Sequence, residues 1–368
     1  MVIGVLSRRS LTRGLIPVAA LAAAWVLLAY PQAMATGISR GLSVCSTVII
    51  PTLYPFMVLA GWLADSPLCR QPGRWLCAVT RRLFGLPGCC GPAILLSLVG
   101  GYPAGALAIA RLREQGLVEE AQVRRMTAFC VNGGPGFIIS TVGAGLLGST
   151  GAGVCLYAAQ VAVSLAIGLF LGRRHRGESD STASPTTLPR PLAKLVADTC
   201  AALLTMCGFV ILAATALSLC EGLGLPLLVQ RTVGISAAGL SAGLAALLEV
   251  SCGCIALAGS GELAPLWLSL CISWSGLSVQ GQLAAALPGQ PILSPYFRKW
   301  RLLHGGLSGG LSLLLFRLFP AAVTTGTAPV VTVPFSVSAT ASGMLLILSF
   351  LAMVCFSDFF GKSTGKIR

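Results

Sequence analysis

The stretch Leu98-Val-Gly-Gly-Tyr-Pro-Ala-Gly-Ala-Leu107 interrupts an apolar run with three glycines, a proline and a tyrosine. Gly100 and Gly101 are suited to end one helix, and Pro103 is suited to the first turn of the next. Backbone freed by such a break survives at membrane depth only where protein, water or a ligand satisfies it. The stretch therefore predicts the tip of a hairpin that enters a membrane and returns. A packing turn, in which Gly101 and Gly105 let two helices approach closely, is the alternative.

The composition places this stretch in an integral membrane protein. The chain has 368 residues, of which 55% are hydrophobic and 10% charged, and its mean hydropathy is +0.86. Soluble domains carry about 25% charged residues. We therefore expect an all-α protein that crosses the cell membrane several times and contacts lipid. No phosphate loop, HExxH or Ser/His/Asp set is present in the sequence, so we expect no enzyme and no cofactor.

The net charge of +14 comes from 25 basic residues in short clusters between apolar runs. This distribution encodes topology and does not indicate a nucleic-acid partner. The 14 cysteines lie mostly as single residues in apolar segments, and the chain has two histidines. We therefore expect small, buried, reduced cysteines rather than a metal site.

Hydropathy predicts about eight transmembrane helices and two broken apolar stretches. If both broken stretches are re-entrant hairpins and the N-terminus is cytoplasmic, the large arginine clusters all lie on the cytoplasmic side, and so does the C-terminus. If 91–110 crossed the membrane instead, the clusters at 70–82 and 111–125 would lie on opposite sides. The predicted crossings are 15–35, 40–63, 126–147, 151–172, 195–220, 263–285, 302–322 and 334–356, and the predicted hairpins are 91–110 and 233–260.

These elements form an inverted repeat, because each half makes an odd number of crossings. Inverted repeats with discontinuous helices in matching positions indicate a secondary transporter. The first helix also resembles a secretory signal, and we expect it to remain as an anchor. The predicted domains are the N-terminal helix 1–36, the first repeat 37–172, a cytoplasmic linker 173–194, the second repeat 195–322, and a C-terminal helix with a basic tail 323–368.

Three further breaks carry polar side chains, at Phe129-Cys-Val-Asn-Gly-Gly-Pro-Gly-Phe137, Leu248-Glu-Val-Ser-Cys-Gly-Cys254 and Ser273-Trp-Ser-Gly-Leu-Ser-Val-Gln-Gly-Gln282. Glu249 would cost roughly 3 kcal/mol at the centre of a lone helix, so it is a candidate proton carrier, cation ligand or substrate contact. The alternatives are a kinked span without a ligand, a carboxyl group satisfied by the hairpin backbone, and ordinary helix–helix contacts. The predicted binding residues are Gly101, Tyr102, Asn132, Gly133, Gly134, Glu249, Ser251, Ser275, Ser278 and Gln280.

At these four breaks the sequence resembles the YlbJ-type sporulation integral membrane proteins, which carry the nucleoside-recognition gate domain. The resemblance runs from about Gly41 to Leu315 with the motifs in the family's order. More remotely, two hairpins and two broken spans are similar to the concentrative nucleoside transporters. That similarity implies a substrate and cation site at Tyr102, Asn132, Glu249 and Ser275.

The resemblance implies export of dipicolinic acid from the mother cell across the outer forespore membrane. Helix N-termini with Tyr, Ser and Asn donors suit such an aromatic dianion. Glu249 suits it less well, unless the carboxyl group is protonated or binds a coupling ion such as H⁺ or Na⁺. The first hairpin lacks the acid of nucleoside transporters, which argues against a nucleoside. A nucleoside or nucleobase carrier and a non-transporting sporulation scaffold remain alternatives, and the sequence leaves a homo-oligomer open.

Overall fold

A computed structural model describes residues 17–64, 74–174, 191–289 and 294–320 of the protein, apart from positions 19 and 235. All regular structure in these ranges is helical, as the composition predicts. The arginine-rich start of the chain, most of the linker and the predicted crossing 334–356 lie outside the described residues.

The first half contains two long helical stretches that flank shorter, broken ones. The first long stretch runs without interruption from Pro31 to Leu63, although a π-helical segment divides it into α2 and α3. The elements of the first half are α1 Ala20–Ala29, α2 Pro31–Val44, the π segment Cys45–Ile49, α3 Ile50–Ala64, α4 Arg74–Phe84, a 3₁₀ turn Gly88–Cys90, α5 Gly91–Val99, α6 Gly101–Glu114, α7 Glu120–Phe129, the π-helix Gly136–Leu146 and α8 Thr150–Arg173.

The second half presents its elements in the same order: a long helix, a short helix, a pair broken at a hairpin tip, a second broken pair and a long helix. They are α9 Leu192–Gly222, α10 Leu225–Val233, α11 Ala237–Leu248, α12 Val250–Leu257, a 3₁₀ turn Gly261–Leu263, α13 Ala264–Trp274, α14 Gly276–Ala286 and α15 Pro295–Leu318.

Three continuous helices in the described ranges are long and apolar enough to cross a membrane: Pro31–Leu63, Thr150–Arg173 and Leu192–Gly222. The first differs from the predicted crossings 15–35 and 40–63, because the helical break lies at Tyr30 instead of between them. Pro31 starts the new helix at a position where its missing N–H costs nothing. Gly37 then packs against the backbone of Thr215 on α9, which favours an unbroken helix through this region.

The two stretches predicted as hairpins both fold back on themselves. A Cβ atom on Gly105 would lie 3.0 Å from the Cβ of Ser97, although eight residues separate the two. In one straight helix these positions would be about 12 Å apart. Gly253 contacts Ala246 in the same manner across the second break. Both are therefore helical hairpins, whereas their re-entrance into a membrane and the total of eight crossings stay predictions.

The outer surface is apolar, and much of the interior is polar. Leu212 and Leu307 are 66% and 51% exposed on α9 and α15, while Gln160, Arg301 and His304 are almost completely buried. A protein in water would be expected to reverse this arrangement, because exposed apolar surface is costly there. In a bilayer, the exposed leucines contact lipid and the buried polar groups bind one another.

Candidate functional site

The first break lies at the tip of the α5–α6 hairpin. Helix α5 ends at Gly100, and Gly101 opens α6 with φ +75°. A residue with a Cβ atom would be strained at this φ, and the atom would also lie 3.0 Å from the amide nitrogen of Gly134. Pro103 falls in the first turn of α6. The predicted end and restart of the helix are therefore confirmed, and glycine is required where two backbones touch.

The second break separates α7 from the π-helix by a non-helical segment at 131–134. Asn132 on this segment is 2% exposed. Its side-chain nitrogen donates to the carbonyl of Phe129 at 2.8 Å and to the hydroxyl of Ser164 at 3.0 Å. The amide therefore holds the unwound backbone against α8. Gly134 provides the surface that contacts the first hairpin.

The third break is a single extended residue, Glu249, between α11 and α12 (φ −149°, ψ 132°). Its buried carboxylate accepts a hydrogen bond of 2.8 Å from the backbone N–H of Cys252 and so caps α12. This is the backbone-satisfied arrangement that the sequence left as an alternative. An acid at a helix N-terminus is favourable because it satisfies a free amide and the helix dipole.

The fourth break is a left-handed turn between α13 and α14. Ser275 has φ 65° and is the one non-glycine residue with a positive φ among the described residues; Gly276 follows with φ +69°. A Cβ atom on Gly276 would lie 2.9 Å from the Cα of Glu249. The third and fourth breaks therefore touch through their backbones, as the first and second do.

Three of the four breaks line one narrow cavity of about 20 Å³, and the fourth contacts the third beside it. The first two breaks contribute Gly101 and Gly134, the third contributes Glu249, and the helix after the fourth contributes Gln282. The hydroxyl of Tyr102, also at the wall, donates to the carbonyl of Ile272 in the other half. A space of this size holds about one water molecule. The cavity is therefore too small for a larger ligand, and most of the residues that line it are apolar.

The structure places five of the predicted binding residues at this cavity and five behind its walls. The side chains of Asn132, Ser275 and Gln280 satisfy backbone carbonyls of the breaks themselves. Ser278 accepts from Gln282 at 3.4 Å, and Gly133 packs beside the Tyr102 hydroxyl. The five at the cavity are Gly101, Tyr102, Gly134, Glu249 and Ser251.

Two larger spaces lie beyond the cavity, toward opposite ends of α9. A vestibule of about 160 Å³ shares Tyr102 and Gln282 with the cavity and reaches Ala202 and Thr205 in the first half of α9. An open groove of about 680 Å³ follows α2, whose Gly37 packs on Thr215 in the second half of α9. The groove is lined by Ala35, Thr36, Ser39, Arg40, Ser43, Val44, Thr47, Val48 and Ile255.

A buried polar network behind the second and fourth breaks was not predicted. The side chain of Gln160 on α8 donates to the carbonyl of Ser269 and to the hydroxyl of Ser308, and it accepts from Ser273. His304 contacts the Gln160 carbonyl at 3.0 Å. The sequence contained a signal for this network, because polar side chains recur at helical spacing on both helices. They are Arg301, His304, Ser308 and Ser312 on α15 and Gln160 and Ser164 on α8.

The topology prediction placed the cluster of Arg298, Lys299 and Arg301 on the cytoplasmic side, which stays a prediction. The structure shows that Arg301 is 0% exposed, whereas its two neighbours are exposed. Its guanidinium donates to the carbonyls of Val131 and Ala128. Charge clusters read from sequence do not show which member of a cluster turns inward.

In the described ranges, no group of three or more His, Cys, Asp or Glu residues could hold a metal ion. No disulfide bond joins the cysteines of these ranges.

The chain is similar to "Sporulation integral membrane protein YlbJ" of Bacillus subtilis (strain 168), with 30% identity over 168 residues. The aligned part covers 46% of this chain and 41% of that relative, so the chain spans less than half of the relative's length. No protein-family model matches the chain, and no solved structure does. The resemblance to YlbJ is confirmed over the aligned part, and the apolar helices support a membrane protein; a role in sporulation and the nucleoside-recognition domain stay predictions.

Proposed function

We propose that this relative of YlbJ is a membrane transporter that moves a small organic anion, with dipicolinate as the candidate substrate, by alternating access. The observation that carries the proposal is that helix breaks from both halves meet at one small cavity: the first, second and third breaks line it, and the fourth contacts the third. Discontinuous helices from two structural repeats form the midplane site in many secondary transporters. A scaffold protein would have no need to unwind four helices at one point.

The described conformation is occluded. A cavity of about 20 Å³ holds roughly one water and is too small for an aromatic dicarboxylate. Transport therefore requires the hairpin tips to separate from the broken helices opposite them. Backbone-to-backbone glycine contacts, as between Gly101 and Gly134, suit such a separation because no side chains interdigitate at that contact.

We infer that the vestibule, which shares residues with the cavity, and the separate groove along α2 are the two access routes. The vestibule ends near Ala286, and Arg113 donates to the nearby carbonyl of Pro288 at 2.7 Å. Its mouth therefore faces the side that positive charge assigns to the cytoplasm. The groove with Arg40 and its hydroxyl groups lies toward the opposite side. We propose that an anion enters by the vestibule and leaves by the groove.

One observation favours a nucleoside as a second candidate substrate. The Glu249 carboxylate lies at the cavity, where it could accept hydrogen bonds from ribose hydroxyls, whereas it would repel an anion. Its bond to Cys252 occupies one part of this acceptor capacity, because a carboxylate has about four lone-pair sites.

Uptake by proteoliposomes that contain the purified chain tests both candidates. Radiolabelled dipicolinate and uridine are supplied in parallel, with empty liposomes and the Glu249→Gln variant alongside. Saturable dipicolinate uptake supports the proposal. Saturable uptake of uridine alone makes the nucleoside candidate correct, and movement or binding of neither compound overturns the transporter assignment in favour of a scaffold.

A further inference from the structure

Arg301 holds the unwound segment of the second break from behind. Its guanidinium lies in the core and donates to the carbonyl of Val131 and, at 3.0 Å, to that of Ala128. In a continuous helix the Val131 carbonyl would accept from residue 135, but that residue is a proline and has no N–H. Arg301 supplies the donor that the break removes.

The arginine carries a charge that no described carboxylate neutralises. Arg301 takes part in neither of the ion pairs Arg40–Glu221 and Lys194–Asp198 of the described ranges, and Glu249 instead binds the amide of Cys252. Two carbonyls at the C-terminal end of α7 offset part of the charge. An otherwise uncompensated cation inside a membrane protein is costly and marks a functional position by default.

The charge lies directly behind the wall of the cavity. Val131 is three residues before Gly134, which lines the cavity. Tyr102, also on the wall, places its hydroxyl beside Gly133 of the same unwound segment. The Nε of Arg301 has no hydrogen-bond partner in the described structure, so the guanidinium retains one N–H donor beyond its two backbone contacts.

We propose that Arg301 is a positioning and specificity-determining residue, which holds the unwound wall in place and makes the cavity prefer an anion to a neutral molecule. The inference rests on the proposed anion transport. A purely structural cap would stabilise the wall equally for charged and neutral ligands. A specificity residue changes their ratio, because its charge acts on the ligand's charge through a medium of low dielectric constant.

Binding of two ligands of the same shape distinguishes these roles. Affinities of the purified chain for dipicolinate and for its neutral diamide are measured by calorimetry for wild type, Arg301→Gln, Arg301→Lys and the matched control Arg298→Gln, an exposed arginine on the same helix. We expect Arg301→Gln to weaken dipicolinate binding by about tenfold or more relative to the diamide. Arg298→Gln should leave the ratio unchanged.

If Arg301→Gln does not fold, Arg301→Lys decides. Lysine keeps the charge but lacks the fork that reaches both carbonyls, so we expect lower thermal stability with the wild-type dianion-to-diamide ratio. A lysine variant that loses the ratio, or a folded glutamine variant that keeps it, overturns the role of Arg301 and leaves the proposed function intact. Failure of the wild type to bind dipicolinate overturns both.

Discussion

The hydroxyl of Tyr102 donates a hydrogen bond to the main-chain carbonyl of Ile272, so the first break is fastened to the helix that precedes the fourth. This bond crosses from one half of the chain to the other at the wall of the cavity. Any movement that opens the cavity between the α5–α6 hairpin and α13 must break it.

Tyr102→Phe tests this fastening, with Tyr157→Phe as the matched control. Both hydroxyls donate to backbone carbonyls, Tyr157 to that of Leu98 at 2.8 Å, and loss of either bond should cost about 1 kcal/mol of stability. Thermal unfolding in detergent should therefore change similarly in both variants. Only Tyr102→Phe should change the rate of substrate uptake; equal uptake in the two variants would contradict a role in opening.

Gly101→Ala should disrupt the contact between the first two breaks. The positive φ alone costs about 1–2 kcal/mol for an alanine, and the added Cβ would press on Gly134. Gly116→Ala is the control, because Gly116 has φ +67° with nothing within 4 Å of its added Cβ. The melting temperature should fall further for Gly101→Ala than for Gly116→Ala. A similar fall in both would show that the backbone contact has no energetic weight.

Glu249→Ala should destabilise α12 by leaving the amide of Cys252 without its acceptor. Loss of an N-cap costs about 1 kcal/mol, and burial makes an unsatisfied amide more expensive. Glu249→Gln keeps an oxygen acceptor, so its melting temperature should lie closer to wild type. Ser236→Ala removes the exposed N-cap of α11 and calibrates an ordinary cap. A glutamine variant as unstable as the alanine variant would show that the charge itself, not the cap, stabilises the hairpin.

The hairpin topology can be tested by thiol labelling in a background without native cysteines. Arg113→Cys, at the end of α6, should react with an impermeant reagent only after the membrane is permeabilised, because a re-entrant hairpin returns it to the cytoplasmic side. Arg231→Cys on α10 should react from outside in intact cells. Labelling of both positions from the same side would rule out the predicted arrangement.

The sequence predicted the breaks well because their causes are local. Gly100 and Gly101, the glycines and proline after Asn132, and Gly276 each raise the local cost of continuing a helix. Glu249 was singled out by its charge, and its position at a hairpin tip was predicted by the topology. What it binds was left open, because a carboxylate in an apolar stretch can meet a ligand or its own backbone.

The hydrogen-bond partners of individual side chains could not be predicted from a single amino-acid sequence. Asn132 turns toward Ser164, and Arg301 turns toward Val131; both contacts depend on which faces of α8 and α15 meet α7. The uninterrupted helix Pro31–Leu63 also depends on a distant partner. Gly37 and Gly41 lie inside this helix because they pack against the backbone of α9. Pairing between distant helices decided these features.

The exchange of polar contacts between the halves has a consequence for biosynthesis. When the first half leaves the ribosome, the Val131 carbonyl and the Gln160 amide have no partners, since these are supplied by Arg301, Ser269 and Ser308 far later in the chain. We therefore expect the early segments to remain in the insertion machinery or at a hydrated interface until α15 has been synthesised and inserted. Two separately synthesised halves should accumulate in the membrane only when both are present in the same cell.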